Sequence, residues 1–412
     1  MANSVDTAGS GTAAPPRRAP ERDELLAAIE RIRPVLEECS TEAEQERALP
    51  SRTVEALHEA NLFRIVAPQE VGGFAVDPIT KTEVLEALAY IDANAAWTAM
   101  IGSTVSGALG CLVPPELVDE IFGKERFPVA CSQINPTAGR GVRDEGGLRV
   151  SGHWSYASGI HHADWALCMV PVFEGDSDEP VEADGGGPLV VMALVPTADV
   201  EIVDNWHTLG LRGSGSSDFV VRDVLVPERY YFEPTAHRVG RVHHMNTLPM
   251  EHAALPIGIA HRALDEVREL ALEKIRLGSS RSVAQRDVFQ RELGRMEMAW
   301  RSVRSLFYDL VAESWESVRA GQAETQEQDL LLRNGAAYAT DVCLEIVTTC
   351  MRFGGANALF ESHVLQRCYR NISAAGQHLF VTDENYEALG QLRLGLPVKP
   401  QLFPGSNRIM GL

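Results

Sequence analysis

Three places in this 412-residue sequence carry side chains equipped for chemistry: a serine-glycine step followed by two histidines, a glycine-serine loop, and a late histidine. In HWSYASGIHHADWALCMVPV, residues 153–172, Ser158 offers a neutral hydroxyl that can accept from an N–H without removing its proton. A serine before Gly159 is also an ordinary turn former. Trp154 and Tyr156 can pack nearby as an apolar wall. His161 and His162 are adjacent, and neighbours on a strand point to opposite faces, so joint chelation of one metal is disfavoured. His243, His244 and His252 also lack an established metal spacing, and no metal site is expected. GLRGSGSS, residues 210–217, lacks the Gly-Lys-Ser/Thr ending of a triphosphate loop and precedes a strand, while its glycines permit close backbone approach. His378 titrates in the range useful for acid–base work, although read alone it is a helix histidine satisfied in a core.

The composition is that of an ordinary globular protein, with 45% hydrophobic and 23% charged residues. A net charge of -20 argues against attraction to nucleic acid or an anionic membrane. The seven cysteines lack CxxC spacing and read as buried free thiols. Residues 1–22 contain no apolar signal region and read as a disordered tail, so a soluble cytoplasmic protein is expected.

These reactive segments need elements to position them, and the chain supplies three kinds in order. From Asp23 to about Phe122 the apolar spacing is helical, ending in VLEALAYIDANAAWTAMIGSTVSGALG, a nearly uncharged stretch interrupted by Glu86 and Asp92. GGLRVSGHWSYASG, DWALCMVPVF, PLVVMALVP and SSDFVVRDVLVP then read as strands, with the acidic EGDSDEPVEADGGGP a solvated loop between two of them. Helices return after Pro249. There Phe289, Leu293, Met296, Trp300, Val303, Phe307 and Leu310 form one seam at alternating steps of four and three, a bundle core.

With IDANAAWTAM, SGHWSYASG, WHTLGLRGSGSSDFVVRDVLVPERY and RCYRNISAAGQH in this order, the sequence resembles the acyl-CoA dehydrogenase fold from about Asp23 to Leu394. More particularly it is similar to the oxygenase components of two-component flavin monooxygenases, the group of p-hydroxyphenylacetate hydroxylase, steroid-ring phenol hydroxylase and dibenzothiophene monooxygenase. The resemblance implies an α+β fold with a helical domain at 23–125, a barrel-like or sandwich β-domain at 126–235, a four-helix bundle at 236–395 and a tail at 396–412. It implies reduced FMN, or FAD, delivered by a separate NAD(P)H:flavin reductase. With O2 this would give a C4a-hydroperoxyflavin that hydroxylates an aromatic or polyketide-like molecule, in a homotetramer. Ser158 and His378 would be catalytic. Ser132, Gln133, Trp154, Tyr156, Ser158, Arg212, Ser214, Ser216 and Arg276 would hold the flavin, and Trp97 and His378 the substrate.

The departures choose the branch. Dehydrogenases of this fold carry a glutamate base late in the chain, whereas Arg370 through Phe380 contain no carboxylate and His378 stands in that region. Glu251 could replace the base, but reads better as an acidic residue at a helix N-terminus. No GxGxxG fingerprint is present, as an oxygenase fed by a separate reductase requires. An acyl-CoA dehydrogenase or flavin oxidase, and a non-catalytic oligomeric binding protein, are the alternatives.

Overall fold

A computed structural model describes residues 19–133, 135–233, 248–322 and 324–399. Most of both expected tails, together with His243, His244 and the side chain of Gln133, lies outside the described residues. Residues upstream of Asp23 are tied to the helices: the Ala19 amide donates to Asp77 Oδ2 at 2.7 Å, and Arg22 pairs with Glu83.

Five helices come first: α1 (Arg22–Glu46), α2 (Ser51–Glu59), α3 (Pro78–Ile91), α4 (Ala93–Leu112) and α5 (Pro115–Phe122). The long apolar stretch is two helices because Asp92 is extended (φ -147°, ψ 115°) and caps α4 through the Ala95 amide at 2.8 Å. Helix α4 is long and apolar enough to cross a membrane, but 89% of its apolar window is buried inside this protein, where small residues admit close neighbours. A Cβ at Gly102 would meet Phe63 at 2.8 Å.

The central segment is one curled sheet of β1 (Ala130–Gln133), β2 (Gly139–Asp144), β3 (Gly147–Trp154), β4 (Trp165–Glu174), β5 (Val190–Pro196), β6 (Glu201–Val203), β7 (Asp218–Pro227) and β8 (Tyr231–Phe232). Its order is β6-β7-β3-β2-β4-β5-β8, with β1 paired to β4. The inner face packs Leu148, Val150, Trp154, Ala166, Cys168, Val170, Val191, Val195 and Phe219 into a core of its own.

Helices α6 (Leu248–Glu273), α7 (Asp287–Arg319), α8 (Gln326–Gly354), α9 (Val364–Ala375) and α10 (Glu384–Arg393) complete the fold. Along the α7 seam Phe289, Met296, Trp300, Val303 and Phe307 are buried, with Leu293 and Leu310 packed at its margin. Trp300 also donates its indole N–H to the Ile257 carbonyl at 3.0 Å, so the seam is pinned to α6. Helix α6 lies against α3, α8 and α9, and this holds the start of α6 and the end of α9 near α4.

Candidate active site

The four quoted segments meet in space. Leu211 adopts a left-handed conformation (φ 51°) and the turn after it is held by two asparagines, one from each helical region. Asn371 Oδ1 accepts from the Leu211 amide at 2.8 Å and Asn94 Oδ1 from the Gly213 amide at 3.0 Å. Gly210 lies so close to α9 that an added Cβ would fall 1.9 Å from the Arg370 carbonyl oxygen. Asn94 and Asn371 explain in physical terms why those two helical segments accompany the glycine-serine loop; sequence reasoning missed both as anchors.

Held this way, the loop delivers a file of hydroxyl groups. Ser158 Oγ lies 2.8 Å from Ser216 Oγ, which lies 2.8 Å from Ser214 Oγ. Ser214 donates to the Leu211 carbonyl at 2.8 Å, and that carbonyl also accepts the Trp206 indole N–H at 2.9 Å. A hydroxyl has one proton to give. Ser214 has spent its proton, so Ser216 donates to Ser214 and Ser158 donates to Ser216. Ser158 also accepts the Trp97 indole N–H at 2.9 Å. One acceptor position is left on Ser158, and no donor. All three serines are buried.

Across Trp97 stands a box of rings. Trp97 meets His378 edge-on at 5.6 Å between centroids and His252 edge-on at 5.5 Å, while His252 and His378 stack at 3.9 Å and 26°. Phe380 closes the group at 5.2 Å from His252 and 5.1 Å from His378. His378 sits just before a single 3₁₀ turn, Leu379–Val381, and its Nδ1 accepts the Phe380 amide at 3.3 Å. Burial pushes its imidazole down to about 4, so it is neutral at physiological pH. A neutral ring that accepts at Nδ1 carries its proton at Nε2. His378 therefore presents a hydrogen-bond donor.

The carboxylate that could have served a dehydrogenase is committed elsewhere. Glu251, in the first turn of α6, is buried against Lys81 of α3 and accepts from Thr104 of α4 at 2.6 Å. Burial works against both charges, raising Glu251 and lowering Lys81, while each ion opposes that shift in the other. Glu251 stands in the first turn of its helix as expected, and is in addition half of an internal ion pair.

Other expected site residues are scattered. Trp154 is fully buried in the sheet core, stacked on Phe219 at 5.2 Å, and so is not a flavin wall. Tyr156 leaves the strand at φ 64° and is 72% exposed, so the two rings do not form one surface. Ser132 donates to the Leu167 carbonyl at 3.3 Å. Arg212 donates to the Thr208 carbonyl at 3.0 Å and reaches Glu361 at 3.8 Å. Arg276 is exposed beyond α6, remote in sequence and element from the serine file. His161 and His162 lie in a 3₁₀ turn, where His161 Nε2 meets Ser217 Oγ at 3.0 Å. A cavity of about 220 Å³ lies between α1, the end of α3, α6 and α9, lined by Asp92, Arg262, Arg367 and Asn371, and includes none of the serine or ring groups.

The buried histidines make stability depend on pH. Burial lowers His58, His162 and His378 from 6.5 to about 4, so between these values the unfolded chain binds protons that the native protein refuses. Their contribution is present above pH 6.5 and is lost as pH falls toward 4. Asp92 runs the other way, raised to about 6 by burial, so its native carboxyl takes a proton first and offsets part of the loss. The expected sum is a falling thermal midpoint across this window; a flat or rising midpoint would show that these rings are not buried as described.

Comparison with known proteins adds family to geometry. The "Acyl-CoA dehydrogenase, N-terminal domain" family matches residues 25–111 and the "Acyl-CoA dehydrogenase, C-terminal domain" family residues 250–383. The chain is 27% identical to the indole-3-acetate monooxygenase of Pseudomonas putida, covering 86% of this chain and 89% of that protein. It is 27% identical to the flavin-dependent monooxygenase oxygenase subunit HsaA of Mycobacterium tuberculosis, covering 90% and 96%. Among solved structures, XiaF from Streptomyces sp. in complex with FADH2 and glycerol superposes with a TM-score of 0.83 at 26% identity, covering 92% of this chain and 98% of that one.

Proposed function

Because this chain belongs to the acyl-CoA dehydrogenase-fold family, among its flavin-dependent monooxygenase oxygenase components, we propose that it takes reduced FMN from a separate NAD(P)H:flavin reductase and inserts one atom of O2 into an aromatic small molecule in the cytoplasm. The flavin, when bound, supplies the electrons that activate dioxygen. The donor set fits such a group: the buried hydroxyls of Ser158, Ser214 and Ser216 are neutral, and the buried Thr98 hydroxyl one residue from Trp97 has no hydrogen-bond partner among the described residues. Ser158 would accept an N–H of the ring edge, and the loop 210–217 would hold it there. The ring box would receive a flat substrate, with His378 donating from Nε2.

The single observation that carries this reading is the directed serine file, which leaves one neutral acceptor for an N–H of the flavin, while His378 stands where a dehydrogenase carries its base and Glu251 is tied to Lys81. Protein mixed with reduced FMN, ¹⁸O2 and a panel including indole-3-acetate and simple phenols is expected to yield a product bearing one labelled oxygen. Parallel runs with reduced FAD test the choice of flavin. Reduction of protein-bound FAD by an acyl-CoA, with no labelled product, would sink the proposal in favour of a dehydrogenase.

Ser158→Ala removes the acceptor, leaves Trp97 Nε1 without it and takes from Ser216 the hydrogen bond it accepts, while Ser216 keeps its bond to Ser214. One neutral hydrogen bond predicts about a tenfold rise in hydrogen peroxide released per product formed. An unchanged ratio would assign Ser158 to turn geometry alone.

We further propose a homotetramer, in which Arg276 would reach the flavin of a neighbouring subunit. Supporting this, Leu272, Ile275 and Leu277 around Arg276 are 65%, 61% and 106% exposed in the single chain, an apolar patch that asks for cover. Sedimentation as a monomer at micromolar concentration would remove both statements.

A further inference from the structure

We propose that the cavity between α1, the end of α3, α6 and α9 is a second binding site, for a small organic carboxylate that also carries an ammonium or hydroxyl group, and that its occupant tightens the glycine-serine loop. At about 220 Å³ it falls below the roughly 300 Å³ at which drug-sized sites begin, so it suits a small metabolite and not a flavin.

Its lining holds charges that the fold leaves incompletely met. Asp92 is 5% exposed; its Oδ1 accepts the Ala95 amide that starts α4, while its Oδ2 has no hydrogen-bond partner among the described residues. A buried carboxylate oxygen without a donor destabilises the fold, and a ligand N–H or O–H would relieve it. Burial raises this carboxyl to about 6, so at neutral pH it is ionised and short of a partner.

Two arginines line the same cavity. Arg367 gives Nη1 to Ser40 and Nη2 to Thr41, but its Nε is buried without a hydrogen bond. Arg262 lies over the Tyr90 ring at 5.5 Å, and its contact with Glu37, at 3.7 Å, is too long for a hydrogen bond. Burial pushes the Cys368 thiol up to about 12 while Arg262 and Arg367 both oppose that rise, so the two guanidiniums converge near this cysteine of the lining. Ile259 and Val364 add apolar wall. The set fits a carboxylate on the arginines, a donor on Asp92 and a short aliphatic body between them. A plain anion would meet Asp92 as a like charge, and a plain amine would meet the arginines.

The cavity also touches both anchors of the loop. Asn371, in its lining, holds the Leu211 amide; Asp92 caps the helix whose Asn94 holds the Gly213 amide and whose Trp97 donates to Ser158. A ligand spanning Asp92 and α9 ties together the two helices that grip the loop. Whatever it does for a flavin bound there, the flavin must do for it by the same factor. This coupling rests on the flavin reading; the binding does not.

Calorimetric titration of the flavin-free full chain with L-leucine and with L-2-hydroxy-4-methylpentanoate is expected to show saturable binding of at least one of them. 4-Methylpentanoate, which lacks the donor, and 3-methylbutylamine, which lacks the carboxylate, should bind about tenfold more weakly or worse. Arg262→Gln should weaken binding by a similar factor and leave the labelled-product yield without ligand unchanged. Asp92→Asn, which keeps the helix cap but replaces Oδ2, should weaken it too. At saturating ligand the Kd of reduced FMN, measured without oxygen, should fall about fivefold or more. No saturable binding at millimolar concentration would mean that the cavity holds only water and would overturn the site. So would binding that survives both substitutions, or equal affinity for 4-methylpentanoate. An unchanged Kd for FMN would overturn the coupling, whereas a chain that binds leucine and no flavin keeps the site and sinks the monooxygenase reading.

Discussion

His378→Ala is expected to consume dioxygen at a near-normal rate while product per reduced flavin falls about a hundredfold to a thousandfold, the usual cost of removing one preorganised donor from a reacting oxygen. Dioxygen and flavin do not depend on this imidazole for their encounter, so the oxygen leaves as hydrogen peroxide. Because the neutral ring donates from Nε2, an amide N–H can substitute for it in part. His378→Asn should therefore recover more coupling than His378→Ala, whereas a role as base would give no such rescue. Labelled product at the wild-type yield in His378→Ala would remove His378 from the reaction and direct attention to His161, which also meets a serine of the glycine-serine loop.

Lys81→Met is expected to cost about 3–5 kcal/mol of stability, because it strands the Glu251 carboxylate in the interior where three helices cross. The companion Lys81→Met/Glu251→Leu should be much less destabilised, and about as stable as the parent, since replacing a buried pair by apolar side chains is often neutral or better. Chemical denaturation of the two variants measures the contrast. Equal losses in both would mean that packing volume, rather than stranded charge, sets the cost. The same pair bears on function, since Glu251 immediately precedes His252, and anchoring the one fixes the first turn of α6 that presents the other.

Much of the scaffold could be read from pattern alone, because long elements repeat their signal. The α7 seam spans seven positions at helical spacing, and four strands of seven to ten residues carry β-branched and aromatic runs. Strands β1, β6 and β8, of four, three and two residues, have too few alternations to register. Trp154 was misassigned although its signal was present: it shares strand parity with Leu148 and Val150, and all three face the same core. Tyr156 escapes that parity because its positive φ ends the strand, which no composition announces. At the site, Ser158 and His378 stand out by type and family position. Their partners do not, because Lys81 and Glu251 are 170 positions apart and His252 and His378 face each other only after α6 and α9 have packed.

The serine file is, in the language of proton conduction, a wire with no terminal. A Grotthuss hop from Ser158 would have to pass through Ser216 and Ser214 to the Leu211 carbonyl, which already accepts the Ser214 hydroxyl, the Ser214 amide and the Trp206 indole. An amide oxygen is too weak a base to keep the proton and has no further acceptor to relay it. Reversing the file would need a donor at that end, and a carbonyl has none. Any N–H resting on Ser158 is therefore insulated on its protein side, and the only leakage path left to it is water entering from the substrate side. A bulky, well-fitted substrate would then act as the stopper, so coupling should improve with how completely a compound fills the ring box rather than with how tightly it binds.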